Sequence, residues 1–149
     1  MEELLTLVTL WIAANFDLPE AEVHPEIVTV PAASLAEVRA EFAREPGSSP
    51  PLAEETVPPE VFAFYHAGSR TIYVSDWWQA DTAANLSVLV HEMVHHLQSE
   101  AGLDYQCPGQ REKAAYDAQE RWLSQFGTSI AKEFGIDPVT RLARTVCIH

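Results

Sequence analysis

The chain has 149 residues, enough for one domain (1–149) with a core of its own, and 47% of them are apolar, which excludes a disordered segment. Its 22 acidic residues against 9 basic ones leave a formal charge of −13. Nucleic-acid phosphates would be repelled by such a surface, so no nucleic-acid partner is expected, and the acidity reads as a solvated exterior.

The opening run Met1-Glu2-Glu3-Leu4-Leu5-Thr6-Leu7 starts on acidic charges where a secretory signal starts on basic ones, so it is expected to be a helix over about Glu3–Ala14. Asn15 and Asp17 interrupt its apolar run well short of a bilayer span, and no membrane partner is expected. Glu26-Ile27-Val28-Thr29-Val30 is a β-branched run stopped by Pro31, which predicts a strand. Ser34 followed by Glu37 has the form of a capping box and predicts a helix from Leu35 to about Arg44. The stretch from Glu45 to Pro59 is dense in Pro, Gly and Ser and reads as a surface loop. Val61–Tyr65 and Thr71–Ser75 flank Ala67-Gly68-Ser69-Arg70 and predict a hairpin, with His66 exposed before its turn. Trp77 and Trp78 follow it, as packing residues or as walls of a substrate subsite.

From Asp81 or Thr82 to Gly102 the apolar residues recur so densely that the helix they predict must be buried almost all round. It carries His91-Glu92-Met93-Val94-His95, the H-E-x-x-H pattern. On a helix that spacing sets two imidazoles one turn apart on one face with a carboxylate beside them. Two neutral histidines fill two positions of a tetrahedral zinc ion, one further protein ligand completes a catalytic set, and water takes the last position. Glu92 is then free to act as the general base on that water.

The third ligand must come from elsewhere. The longer pattern that continues with Gly and a third His is absent, because Gln98 and Ala101 stand in those places. A further helix is predicted from Pro108 or Gly109 to about Phe126, stopped by Gly127, and Glu112 lies in its first turn. Ala115 and Ala118 are small enough to let this helix pack closely on the first and bring Glu112 to the ion. Asp117 and Asp104 are the competing ligands. Tyr116, one turn after Glu112, is the first choice for a donor to the developing oxyanion, ahead of Tyr105, His66 and His96. His96 itself reads as a surface or hydrogen-bonded histidine rather than a ligand. The tail predicts short helices around Ile130–Phe134 and Pro138–Arg144.

Cys107 and Cys147 suit one disulfide in an oxidising compartment, periplasmic or extracellular, and suit two cytoplasmic thiols nearly as well. A remoter use of the tail is that Cys147 or His149 bends back to fill the fourth zinc position and keep the site latent.

The helix Val88–His95 followed by Glu112, with a small residue three positions on at Ala115, resembles the zincin metallopeptidases of the gluzincin type, and in its short form the minigluzincins. The resemblance spans roughly Val61–Phe126. It implies His91, His95 and Glu112 as zinc ligands, Glu92 as general base, and an edge strand beside the metal helix, here Thr71–Ser75, on which an extended peptide binds. Gluzincins often carry an Asp four residues after the ligand Glu to hold a zinc histidine; this chain has Tyr116 there and Asp117 one further on. The expectation is therefore an α+β, zincin-like domain. It has a small, mainly antiparallel sheet packed on the metal helix and the Glu112 helix, helical ends, and zinc-dependent hydrolysis of peptide or protein substrates. The rival is a non-catalytic binding or scaffold module braced by a structural zinc.

Overall fold

The computed structural model of the chain describes residues 1–45 and 63–147. Helix α1 (Glu2–Asn15) buries Leu5, Val8 and Ile12, whose spacing of three and four residues makes one apolar stripe. Strand β1 (Glu26–Val30) follows as expected. Helix α2 (Ala32–Ala43) starts earlier than the Ser34 signal predicts: Pro31 is its N-cap residue, no side chain caps it, and the Ser34 amide instead donates to the Pro31 carbonyl. The proline ring fixes φ at −56°, already near the helical value, so the chain enters the helix directly and the capping box is not used. The proline-rich stretch 46–60 and the expected strand residues Val61 and Phe62 lie outside the described residues.

Strands β2 (Ala63–His66) and β3 (Thr71–Ser75) form the hairpin. The sheet order is β1-β3-β2, with β1 parallel to β3 (Glu26 opposite Thr71, Val30 opposite Ser75) and β2 antiparallel to it (Ala63 opposite Val74, His66 opposite Thr71). Two expectations are corrected here. The three-stranded sheet is mixed rather than mainly antiparallel, because α2 supplies the crossover that a parallel pair requires. Thr71–Ser75 is the central strand rather than the edge, since β1 pairs along its second side; the edge strand nearer the metal helix is β2.

Helix α3 (Ala83–Glu100) is capped by Thr82, whose Oγ1 accepts from the Asn85 amide, and the chain leaves it at Gly102, where φ is +64°. Its residues from Ser87 to Gln98 are buried except His91, which is only partly so. Helix α4 (Pro108–Ser124) packs along α3, and α5 (Ile130–Phe134) and α6 (Pro138–Thr145) complete the chain. The sheet sorts its faces by alternation: Tyr65, Ile72 and Val74 turn towards α3, whereas Phe64, His66 and Tyr73 turn towards Phe42 of α2. Trp78 is a packing residue with its indole N–H donated to the Asn85 carbonyl, while Trp77 is 47% exposed. The domain is α+β, with six helices and one small mixed sheet among the described residues. No described helix is long and apolar enough to cross a membrane.

Candidate metal centre

His91 and His95 stand one turn apart on α3 with ring centroids 5.1 Å apart. Opposite them Ala115 and Ala118 are fully buried at the contact with α4, and without larger side chains between them the two helices approach closely. That approach brings Glu112 to both histidines: its Oε2 lies 3.0 Å from His91 Nε2, and its Oε1 lies 3.1 Å from His95 Nε2.

The other face of each imidazole is held by a glutamine. His91 Nδ1 lies 3.0 Å from Gln119 Oε1, and His95 Nδ1 lies 3.0 Å from Gln98 Oε1. Which end of each amide faces its histidine follows from the other end. Gln98 Nε2 donates to the Arg111 carbonyl, which can only accept. Gln119 Nε2 donates to Ser87 Oγ, whose own proton is given to the Ala84 carbonyl. Both Nδ1 atoms therefore carry the proton, and both Nε2 atoms present lone pairs or a second proton to the Glu112 carboxylate. Acceptor facing acceptor at 3 Å requires a proton or a cation between them.

The donor set fits a divalent metal. One ligand atom from each of His91, His95 and Glu112 lies within 4.8 Å of the others. Tetrahedral zinc with bonds of about 2.1 Å places its ligand atoms about 3.4 Å apart, so an ion would enter with sub-ångström opening of the 3.0 and 3.1 Å contacts. Without a metal, the same contacts govern protonation. Burial lowers the His91 pKa, but the hydrogen bond and charge of Glu112 outweigh it and hold it raised. For Glu112 burial acts upward and is outweighed by His95 and His91, leaving its carboxyl well below the usual carboxylate range.

Glu92 is buried beside the two histidines, and its pKa is raised by loss of water, partly offset by His91 and His95. Tyr116 sets its ring edge-on against His91, centroids 4.8 Å apart, and its hydroxyl accepts from Arg144 Nη1 at 3.2 Å. The competing ligands stand apart: Asp117 pairs with Lys113 and Arg141, and Asp104 is exposed. His96 is fully buried, between Tyr65 Oη at 3.1 Å and the Val23 carbonyl at 2.7 Å, and so is unavailable as an oxyanion donor. His66 is not the exposed residue its place in the sequence suggests: it stacks on Phe42 and pairs with Glu45 and Ser69. Cys147 is bonded to Cys107 and cannot turn to the site, and His149 lies outside the described residues. Gln98, Gln119 and Arg144 are the site residues that sequence reasoning missed. Gln119, seven positions after Glu112 on the same face, holds His91.

A cleft of about 310 Å³ opens directly beside His95, between Tyr65 on β2 and Tyr105 and Arg111 before and within α4. No curated protein and no solved structure matches the chain. One family model does match, that of a domain of unknown function, DUF6647, over residues 1–135. That stretch holds both imidazoles, both carboxylates and the two glutamines behind them, and since it spans most of the 149 residues the chain belongs to the DUF6647 family.

Proposed function

We propose that this protein is a zinc-dependent hydrolase of peptide bonds. The observation that carries the reading is the convergence of His91 Nε2, His95 Nε2 and the Glu112 carboxylate from two packed helices, with Glu92 next to the first ligand. Two imidazoles and one carboxylate are the ligand set of a catalytic zinc, whereas a structural zinc takes four protein ligands. Among the described residues only three side chains converge, which favours the enzyme over a zinc-braced scaffold. When bound, zinc supplies a Lewis acid and a water acidified towards neutral pH.

The chain's own residues do the remainder. Glu92, buried and with a raised pKa, takes the proton of the attacking water and returns it to the leaving amine. Gln98 and Gln119 keep both imidazoles in the tautomer whose Nε2 is free to ligate. The hydroxyl of Tyr116, whose ring lies beside His91, is the donor we assign to the carbonyl oxygen as it gains charge. The cleft beside His95 admits one or two substrate side chains, and β2, of the two edge strands among those described the one nearer α3, is where an extended peptide can add main-chain hydrogen bonds. In this reading β2 takes the substrate-binding role that the resemblance to zincins gave to Thr71–Ser75.

Glu92→Gln tests the reading. The variant is expected to retain zinc, counted by metal analysis after dialysis, and to lose at least about 10²-fold in peptide turnover. Hydrolysis at the wild-type rate in that variant would reject Glu92 as the base. A fourth protein ligand seen in the zinc absorption-edge spectrum would favour the scaffold.

A further inference from the structure

Helix α6 lies beyond the family match, which ends at residue 135, yet it and the residues after it are fastened to α4 and its N-cap residue at four points. Cys147 is bonded to Cys107, the residue before α4. Arg141 Nη2 donates to Asp117 Oδ1 at 2.7 Å. The carbonyl oxygens of Val146 and Arg144 come so near Gly109 that an added Cβ would meet them at 2.9 and 3.2 Å.

Among these fastenings Arg144 reaches the hydroxyl of Tyr116, whose ring lies against His91. The orientation of α6 singles this contact out. Val139 and Leu142 are 77% and 61% exposed, while Arg141 and Arg144 face α4. A helix docked for hydrophobic burial would be turned the other way. What this one delivers to α4 is its two guanidinium groups.

We propose that Arg144 is a positioning residue for the hydrolytic site, acting through Tyr116: by donating to the phenol oxygen it aims the single Tyr116 O–H at the oxygen of the reacting carbonyl. The inference rests on the hydrolytic reading above. A phenol has one proton to give. Once its oxygen accepts from a guanidinium, that proton is directed away from Arg144, and the charged donor polarises the O–H and strengthens the bond it makes next. The Tyr116 ring itself packs edge-on against His91, and the charges of Glu112 and Glu92 both act on its hydroxyl. Arg141 supplies the internal comparison, since it anchors the same helix without touching Tyr116.

The test uses the zinc-loaded full chain and acetohydroxamate, an anionic oxygen ligand whose binding needs no turnover. Arg144→Ala is expected to weaken acetohydroxamate by about tenfold, as loss of a charge-assisted contact should. Arg144→Lys should recover part of this, and Tyr116→Phe should weaken binding to a similar extent. In the Tyr116→Phe background Arg144→Ala should cost less than about twofold more, and zinc affinity should stay within about twofold throughout. With a cleavable peptide the same variants should lower kcat and leave KM nearly unchanged. The proposal is overturned if Arg144→Ala costs as much with Phe at position 116 as with Tyr, or if Arg141→Ala costs as much as Arg144→Ala. Should Arg144→Ala not fold, Arg144→Lys and Arg144→Gln measured against Tyr116→Phe decide the same question. A wild-type protein that binds acetohydroxamate with this coupling but cleaves no peptide rejects the peptidase reading and upholds Arg144. One that does not bind it at all overturns both.

Discussion

Gln119 Oε1 lies 3.0 Å from Nδ1 of His91, and the same amide holds Ser87 through its nitrogen, so one side chain of α4 ties down both a ligand and the helix that carries it. Replacing Gln119 by Leu keeps the bulk and removes the acceptor, leaving a buried Nδ1–H unpaired and the tautomer unfixed. Zinc affinity is expected to fall by about 10- to 100-fold. Gln98→Leu should act likewise on His95. Titration against a competing chelator measures both, and wild-type affinity in either variant would show that its glutamine does not orient a ligand.

The three side chains that could hold a metal were legible because their information is local. His91 and His95 stand four positions apart inside an apolar helix, and Glu112 opens the next helix ahead of Ala115 and Ala118. Gln98 and Gln119 carried no such signal: a glutamine in a helix is ordinarily a solvated residue, and only the packing of α3 on α4 turns these two inward. Arg144 was further from reach, since its contact with Tyr116 spans 28 positions and joins two helices whose packing no local pattern reports. The sheet order failed for a related reason. Alternation in Thr71–Ser75 reports two covered faces, but not which strand pairs along each edge, and the parallel partner β1 lies 45 positions upstream. At Pro31 the error was local, with a fixed φ prevailing over the Ser34–Glu37 pattern.

Gly109 offers a case where two effects oppose. In a helix, Gly→Ala ordinarily stabilises by about 0.5–1 kcal/mol. Here the new methyl would meet the Val146 carbonyl oxygen at 2.9 Å and the Thr145 carbonyl carbon at 3.2 Å, both backbone atoms pinned by the neighbouring disulfide. Overpacking of that kind costs about 1–3 kcal/mol, so the clash prevails. Gly109→Ala is expected to lower the urea midpoint of the oxidised protein, and a raised midpoint would contradict the close approach.

Joining residues 40 apart, the Cys107–Cys147 bond restricts the unfolded chain. Loop-closure entropy for that length gives at most about 4 kcal/mol. Chemical denaturation with and without dithiothreitol should show a lower midpoint on reduction, and Cys147→Ser should reproduce it in the absence of reductant. Because His91, His95 and Glu112 all lie on α3 and α4, the reduced protein should still bind zinc when folded. Equal midpoints in the two states would mean that the bond does not form in solution.

His96 gives the stability a pH dependence of definite sign. It is fully buried, donates from Nε2 to the Val23 carbonyl and accepts from Tyr65 Oη at Nδ1, an arrangement that needs the neutral ring. Burial lowers its pKa below the ordinary 6.5, an effect that Val23 and Glu100 only partly offset and to which the charges of His24 and Arg70 add. Below about pH 6.5 the unfolded chain therefore takes up this proton before the folded one does, and stability falls as pH drops from there towards the folded pKa. His91 acts in the opposite sense and above about pH 6.5, where its raised pKa lets the folded state protonate before the unfolded one, and Glu112 acts only at more acid pH. The His96 contribution is thus isolated as a difference. In metal-free protein, the stability lost between pH 7.5 and 5.5 should be smaller in His96→Gln, which keeps a donor and an acceptor but cannot titrate, than in the wild type. Parallel stability curves for the two proteins would show that the His96 proton is not linked to folding.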